Sequence, residues 1–327
     1  MTDPFRAAAF NAPVAFPITI VSADPHAAIG FSARQIRGAV LASVAACVLL
    51  LWAAGLTINP FARSNIPYYA MLALVPLIRV ACARDGRRWS RALADWTEYC
   101  ALFTAMALTG AVCSYPIAAL SEGFADATLH RIDLALRFDW LAWYRLVADH
   151  RALQLLGMAA YQCIYLTPAL LLGWFACTGQ RREAHRFLAA FWIAAIFTLA
   201  LFSQMPAVGP LSALWKGPIP YMPLSELWQP DLIPPLRRGE VHQVDLGQLR
   251  GLVSAPSFHA ASATLYIATA WRCGPLRWLL IAITGAMLLA TPVEGTHYLI
   301  DLILGAAVAL VALGCASALI ARRRALP

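Results

Sequence analysis

The run from His297 to Ile320, HYLIDLILGAAVALVALGCASALI, decides the fold class of this chain. It is almost entirely apolar and is long enough to cross a hydrocarbon core about 30 Å thick. Comparable apolar runs recur along the sequence. They cover approximately residues 36–58, 67–83, 96–120, 153–176, 186–205, 255–272 and 275–291. The sequence therefore predicts about eight transmembrane helices.

The composition supports a polytopic membrane protein. Of the 327 residues, 61% are hydrophobic and only 13% are charged, whereas a soluble domain carries about 25% charged residues. The runs are rich in Ala and Leu and lack the short alternating segments of an outer-membrane barrel, so the expected fold is all-α. The first run is full length and is followed by further spans, so we expect a retained anchor rather than a cleaved signal peptide.

The distribution of basic residues predicts the orientation in the membrane. With the N-terminus inside, sixteen of the 25 Lys and Arg residues fall in inner segments and nine in outer segments. The positive-inside rule then places both termini in the cytoplasm, with tails at 1–35 and 321–327. Because the basic residues form no patch or stripe, no nucleic-acid partner is expected.

Two long segments, 121–152 and 206–254, fall on the outer side. The first has a Trp-rich amphipathic pattern that suits the membrane interface. The second contains eight prolines, which exclude a long helix, and a loop of this length is more often functional than passive. The eight cysteines form no CxxC pair. They are interpreted as small buried hydrophobic residues, neither a metal site nor a disulfide framework.

Two short motifs carry the candidate chemistry. In the first, residues 254–257 read Ser-Ala-Pro-Ser and predict a helix start. The free N–H groups of that first turn can bind an anion, and His259 would face it. In the second, His297 and Asp301 share one helix face. An Asp at that spacing can hold the imidazole Nδ1–H and leave Nε2 free to attack.

Each of these residues also has a structural interpretation. A single His or Asp near a helix end is often a capped or solvated residue, and only the conjunction at one membrane interface favours chemistry. Glu294, one turn from His297, is open to both interpretations. Tyr298 and Thr296 are expected to serve as an interface aromatic residue and a cap.

Both motifs resemble those of the phosphatidic acid phosphatase type 2 superfamily. The first is Pro256-Ser257-Phe258-His259, and the second is His297 followed, after three residues, by Asp301. These proteins are membrane lipid phosphatases and phosphotransferases. Phe258 in place of the usual Gly, and the His-Tyr pair in HYLID, resemble the branch of inositol phosphorylceramide synthases and related bacterial proteins. The resemblance spans roughly 96–320. It implies a six-helix catalytic core, two additional helices within 36–95, and an extracytoplasmic site in a cell inner membrane.

The sequence departs from the family pattern at two places. The segment MPAVGP at 205–210 lacks the Lys and Arg-Pro of the first motif, and Ala290 and Thr291 replace the Ser-Arg of the third. Either outer-loop cations replace the two missing ones, or the substrate phosphate carries less charge, as a phosphodiester does. The candidate replacements are Lys216, Arg237, Arg238 and Arg250. Arg250 is preferred because it lies close to Ser254, although a lipid-headgroup contact would also explain it.

The resemblance implies a two-step transfer at phosphorus. His297 attacks, Asp301 stabilises the imidazolium, and His259 protonates the leaving oxygen. Substrate contacts come from Ser257, Arg250 or Lys216, and neither a metal nor another cofactor is required. The expected partners are a lipid phosphate and the surrounding membrane lipids, with an alcohol acceptor if the reaction is a transfer. A lipid phosphatase is the first interpretation. A phosphotransferase, a proton-coupled transporter or flippase, and a structural protein are the alternatives.

Overall fold

The computed structural model describes residues 30–324, which are helical throughout apart from their connections and one isolated β-bridge. The tails were predicted at 1–35 and 321–327. Residues 1–29 and 325–327 of these tails lie outside the described residues. The helices are α1 Ala33–Ala53, α2 Ile66–Asp85, α3 Arg88–Leu120, α4 Asp126–Ala135, α5 Trp140–Ala148, α6 Arg151–Tyr161, α7 Cys163–Thr178, α8 Arg181–Phe202, α9 Pro210–Leu214, α10 Trp228–Arg237, α11 Phe258–Ala270, α12 Arg277–Glu294 and α13 Leu299–Arg324.

The prediction of an all-α polytopic membrane protein is confirmed. Within residues 30–324, six helices are long and apolar enough to span a membrane: α1, α2, α3, α8, α12 and α13. The pair α6 and α7, bent by 42° at their junction, forms a seventh span if it is counted as one. The remaining predicted run, 255–272, is also helical, but α11 has only 13 residues. It is short because Ser257 caps its start and a turn at 271–273 ends it.

Helix α11 lies at the centre of the bundle, against α7, α8, α12 and α13. Its small residues Ala260, Ala261 and Ala263 are fully buried, which allows close packing. The closest approach is to α13 at Gly305, where an added Cβ would lie 2.2 Å from the carbonyl oxygen of Ser257. Only glycine fits there, so this contact fixes the start of α11 against the first two turns of α13.

The first outer segment folds into α4 and α5, and several of its side chains are buried against other parts of the protein. Trp140 and Tyr144 of α5 are 1% and 0% exposed. The Trp140 indole donates to the carbonyl of Pro292 (2.9 Å), and the Tyr144 hydroxyl donates to the carbonyl of Tyr221 (2.6 Å). The segment was expected to lie at the membrane interface, but Trp140 and Tyr144 of α5 pack against the second outer segment and the end of α12. That second segment, 206–254, contains only the short helices α9 and α10 and a 3-10 turn.

Helices α1 and α2 pack along α3. The Glu98 carboxylate of α3 forms ion pairs with Arg37 of α1 and Arg79 of α2. The distance from Nη2 of Arg37 to Oε1 of Glu98 is 2.6 Å. The carboxylate is mostly buried, and two cations from different helices compensate its desolvation. This three-residue ion pair ties the N-terminal helices to the rest of the bundle.

Candidate active site

His259 is the second residue of α11 and is held by the cap of that helix. The Ser257 hydroxyl accepts the N–H of Ala260 (3.3 Å), as an N-cap residue does. The Ser257 N–H donates to the backbone carbonyl of Asp301 (3.0 Å). Ser257 is completely buried, so its side chain serves the helix start. Ser254 precedes the helix and its buried hydroxyl has no hydrogen-bond partner among the described residues.

His297 lies just before α13 and faces Asp301. Nδ1 of His297 is 3.6 Å from Oδ2 of Asp301, within ion-pair reach and slightly beyond a hydrogen bond. Their side chains are 3% and 0% exposed. Oδ2 of Asp301 accepts the Tyr298 N–H (3.0 Å), which orients the carboxylate. Nδ1 of His297 and Oδ1 of Asp301 have no other partner in the described chain, and such contacts often tighten only when substrate binds.

The two histidines face one another. Their ring centroids are 6.4 Å apart, with 54° between the planes. Tyr161, at the bend between α6 and α7, stacks on His259 at 4.1 Å, and its hydroxyl lies 3.2 Å from Nδ1 of His259. In the protonated form required for an acid step, the Nδ1–H of His259 donates to the Tyr161 hydroxyl oxygen and the Nε2–H points away from that contact. Sequence reasoning missed Tyr161, because nothing in the surrounding apolar run distinguishes it.

Helix α4 supplies two buried carboxylates that hold the segment around His297. Asp133 accepts the N–H groups of Leu299 (2.8 Å) and Ile300 (2.9 Å), and so caps α13 from another element. Asp126 accepts the hydroxyl of Tyr298 at 3.1 Å. Burial raises the pKa of Asp133, while its two backbone hydrogen bonds oppose that shift. These residues were also missed by the sequence interpretation, since their partners are distant in the chain.

Tyr298 and Thr296 differ from the expectation of an interface aromatic residue and a cap. Tyr298 is fully buried, and Thr296 is 2% exposed. The Thr296 hydroxyl lies 3.3 Å from that of Ser225, in the second outer segment. The explanation is that two outer segments fold over this end of α12 and α13, so side chains expected at an interface contact protein.

Glu294, left open by the sequence, is a buried anchor for the second outer segment. It is 1% exposed. Its carboxylate accepts the Tyr221 hydroxyl (2.7 Å) and the Leu224 N–H (3.2 Å). Burial, followed by this contact with Glu294, raises the pKa of Tyr221, so the phenol stays protonated and donates. Glu294 therefore fixes the loop beside His297 and is not a solvated charge.

A cavity of about 630 Å³ reaches both histidines. Its walls come from α3, α8, α11, the bend between α6 and α7, and the outer segment 246–253. Most of the lining is apolar or aromatic, as in sites that accept a lipid-sized molecule. Arg250 is the single Arg or Lys among the described residues of the lining. The cavity thus joins a polar end, at the histidines, to an extended apolar chamber.

The other candidate cations lie elsewhere. Lys216 is exposed, outside the cavity, and donates to the Ala213 carbonyl (3.4 Å). Arg237 donates to the Ser121 hydroxyl (3.0 Å), and Arg238 pairs with Glu240. The structure therefore brings His259, His297 and Arg250 to one cavity, with Asp301 buried behind His297. It leaves Lys216 apart. Within residues 30–324, no group of three or more His, Cys, Asp or Glu side chains could hold a metal ion.

Comparison with known proteins gives one match. A protein-family model described as PAP2 superfamily matches residues 127–315, more than half of the chain. The matched range contains both histidines and Asp301, and it excludes α1, α2 and α3. Neither the curated proteins nor the solved structures give a match.

Proposed function

The chain belongs to the PAP2 superfamily of phosphoesterases and phosphotransferases, and we propose that it is a membrane lipid-phosphate phosphatase that works through a phosphohistidine. The observation that carries this proposal is the pair of histidine rings 6.4 Å apart, with Asp301 behind His297. A phosphoryl group placed between the rings would meet a nucleophile on one side and a proton donor on the other. That geometry supports in-line displacement, in which positioning supplies much of the catalysis.

In the first step, Nε2 of His297 attacks phosphorus and the bond to the leaving alcohol oxygen breaks. The electron pair of that bond remains on the oxygen, which takes the Nε2 proton of protonated His259 and leaves that ring neutral and ready to act as a base. Asp301 stabilises the imidazolium through Nδ1–H of His297. In the second step, water attacks the phosphohistidine, His259 removes a proton from that water, and inorganic phosphate leaves while His297 returns to its neutral form.

The phosphoryl oxygens need positive charge and hydrogen-bond donors. The N-terminal turn of α11, capped by Ser257, supplies the positive end of a helix dipole beside His259. Arg250 supplies the one formal cation of the cavity lining. Preorganised groups of this kind stabilise charge as it develops in the transition state.

The lipid is assigned to the apolar chamber. Acyl chains would lie along the α3 and α8 walls, while the phosphate reaches the histidines. The loops bearing the motifs hold the minority of the basic residues. The positive-inside rule therefore favours an extracytoplasmic site, both termini in the cytoplasm and, for a bacterial cell, an inner membrane location.

Transfer to an alcohol is the second candidate, and one observation favours it. Arg250 is the single Arg or Lys that lines the cavity in the part of the chain that the structure describes. A dianionic monoester gains more from multiple charged donors than a monoanionic diester does. A phosphodiester donor and an alcohol acceptor such as inositol or diacylglycerol would fit this low charge better than a monoester and water.

One experiment separates these activities. Purified protein is incubated with radiolabelled phosphatidic acid and, separately, with a labelled phosphodiester lipid, each with and without inositol or diacylglycerol. Release of inorganic phosphate from phosphatidic acid supports the phosphatase. A labelled lipid product that requires the alcohol supports the transferase. Absence of both products across a panel of lipid phosphates would refute the proposed function.

A further inference from the structure

The connection between α1 and α2 is bonded to the outer segment that carries Arg250. Thr57 donates its N–H to the carbonyl of His242 (2.9 Å) and accepts the N–H of Val244 (2.8 Å). Ser64 donates to Oδ1 of Asp245 at 2.8 Å. These contacts join residues distant in sequence through both backbone and side-chain groups. They hold the segment 242–250, hereafter the arginine segment, against the N-terminal helices.

Tyr68, in the first turn of α2, is the point where this connection meets the cavity. Its hydroxyl donates to the carbonyl of Leu246 at 2.9 Å, and its side chain lines the cavity together with Leu246, Leu249 and Arg250. Helix α2 thus contributes Tyr68 to the wall of the chamber that reaches His259 and His297.

The packing at this contact leaves no spare room. A Cβ added to Gly247 would lie 2.3 Å from Cβ of Ser64, so the arginine segment approaches the connection as closely as glycine permits. On the other side of the arginine segment, the backbone N–H of Arg250 donates to the hydroxyl of Tyr115 in α3 (3.0 Å). The arginine segment is therefore held between α3 and the N-terminal connection.

We propose that Tyr68 and the α1–α2 connection are a positioning element for Arg250, and so determine how the cavity holds the phosphate of its lipid. This inference rests on the proposed function and assigns a role to helices that lie outside the range matched by the family model. The element contacts no reacting atom. It acts by fixing the backbone of the arginine segment, because a long Arg side chain reaches a reproducible point only from a fixed backbone.

The first test does not depend on activity. Amide hydrogen exchange across 242–250 is measured in Tyr68→Phe and Gly247→Ala. We expect exchange there to rise roughly threefold to tenfold in Tyr68→Phe, the range expected for losing one hydrogen bond, with a larger rise in Gly247→Ala. Thr97→Val is the control, because it also removes one hydroxyl hydrogen bond, but that bond lies within α3, to the Leu93 carbonyl (2.7 Å). Unchanged exchange in both test variants overturns the proposal.

The second test asks whether Tyr68 acts through Arg250. Kinetics with a soluble short-chain phosphatidic acid are compared for Tyr68→Phe, Arg250→Ala and the double variant. We expect Tyr68→Phe to raise KM severalfold with little change in kcat. In the Arg250→Ala background it should add nothing, since coupled residues are not additive. Independent, multiplicative effects would refute the coupling. An inactive wild-type protein would instead count against the proposed function, while the exchange result still decides the positioning role.

Discussion

The rings of His259 and His297 lie 6.4 Å apart although the whole of α12 separates them in sequence. Two contacts bring them together. Gly305 lets α13 approach the start of α11, and the Ser257 N–H bonds to the backbone carbonyl of Asp301. The separation of the two imidazoles is therefore set by packing between helices, so substitutions at that packing should affect catalysis without touching either ring.

We expect His297→Ala to abolish turnover and Asp301→Asn to retain a measurable fraction. The nucleophile is indispensable, whereas the carboxylate orients and stabilises the ring, and loss of such an orienting acid costs on the order of 10⁴-fold. Initial rates of product release from purified variants provide the measurement. His150→Ala is the control, because His150 is exposed and its ring bonds to the Leu146 carbonyl (2.8 Å). Near-normal turnover in His297→Ala would show that the nucleophile is another group.

Gly305→Ala should destabilise the protein by about 1–3 kcal/mol, the usual cost of overpacking, and should also reduce kcat. The new methyl group has to displace the Ser257 carbonyl, which lies 2.2 Å from the added Cβ position, and His259 moves with it. Thermal unfolding in detergent and initial rates are the measurements. Gly314→Ala, in the same helix, has nothing within 4 Å of its added Cβ and should be neutral or slightly stabilising. Equal effects of the two substitutions would contradict this account of the helix crossing.

Asp133→Asn should lower kcat by roughly tenfold to a hundredfold, as a small misplacement of a reacting group does, with less change in KM. The Leu299 and Ile300 N–H groups bond to different oxygens of Asp133, and Asn would place an NH2 donor against one of them. Separate kcat and KM values check this. Asp139→Asn provides the comparison, since Asp139 caps α5 in the same outer segment through Ala142. A selective rise in KM would place Asp133 in substrate binding instead.

Much of the fold was predictable because membrane spans depend on local composition. Each predicted run became helical, and the Pro-rich segment formed no long helix. The pairing of His297 with Asp301 was predicted from a shared helix face. The two side chains do meet, but His297 lies before the first residue of α13, so they pair across the start of that helix. The short length of α11 was not predictable from the sequence. A buried helix and a membrane span have similar apolar composition, and only the position of α11 inside the bundle distinguishes them.

Residues whose role depends on distant partners could not be found in the sequence. Tyr161 resembles any apolar-run tyrosine until α11 brings His259 against it. In the sequence, Asp126 and Asp133 are typical of the charged residues in an amphipathic segment. In the structure, both accept hydrogen bonds from residues near His297. Glu294 was open to two interpretations because its burial is caused by a loop some 70 residues away in the chain. In each case, contacts formed only in the folded protein determine the role of the residue.

Glu294→Ala should open the second outer segment. The substitution removes the acceptor of the Tyr221 hydroxyl and the Leu224 N–H, and hydrogen bonds to charged groups contribute about 1.5–3 kcal/mol. Lys216 is the only lysine in the chain, so a lysine-specific protease cuts at one place, within this segment. We expect at least tenfold faster cleavage in Glu294→Ala than in wild type, because cleavage follows the open population. Glu226→Ala is the control, since Glu226 is exposed and contacts Trp228. Identical cleavage rates in all three proteins would exclude an anchoring role.

The same lysine tests the orientation in the membrane. Lys216 is exposed and lies in the outer segment that Glu294 anchors, and the positive-inside rule places that segment outside the cytoplasm. A membrane-impermeant amine reagent should therefore modify Lys216 in intact cells whose outer envelope admits the reagent. The modified site is identified by mass spectrometry, and Lys216→Arg keeps the charge while removing the reactive amine. Modification that requires cell lysis would reverse the assigned orientation and place His259 and His297 on the cytoplasmic side, because they share a cavity with the neighbouring residues of this segment.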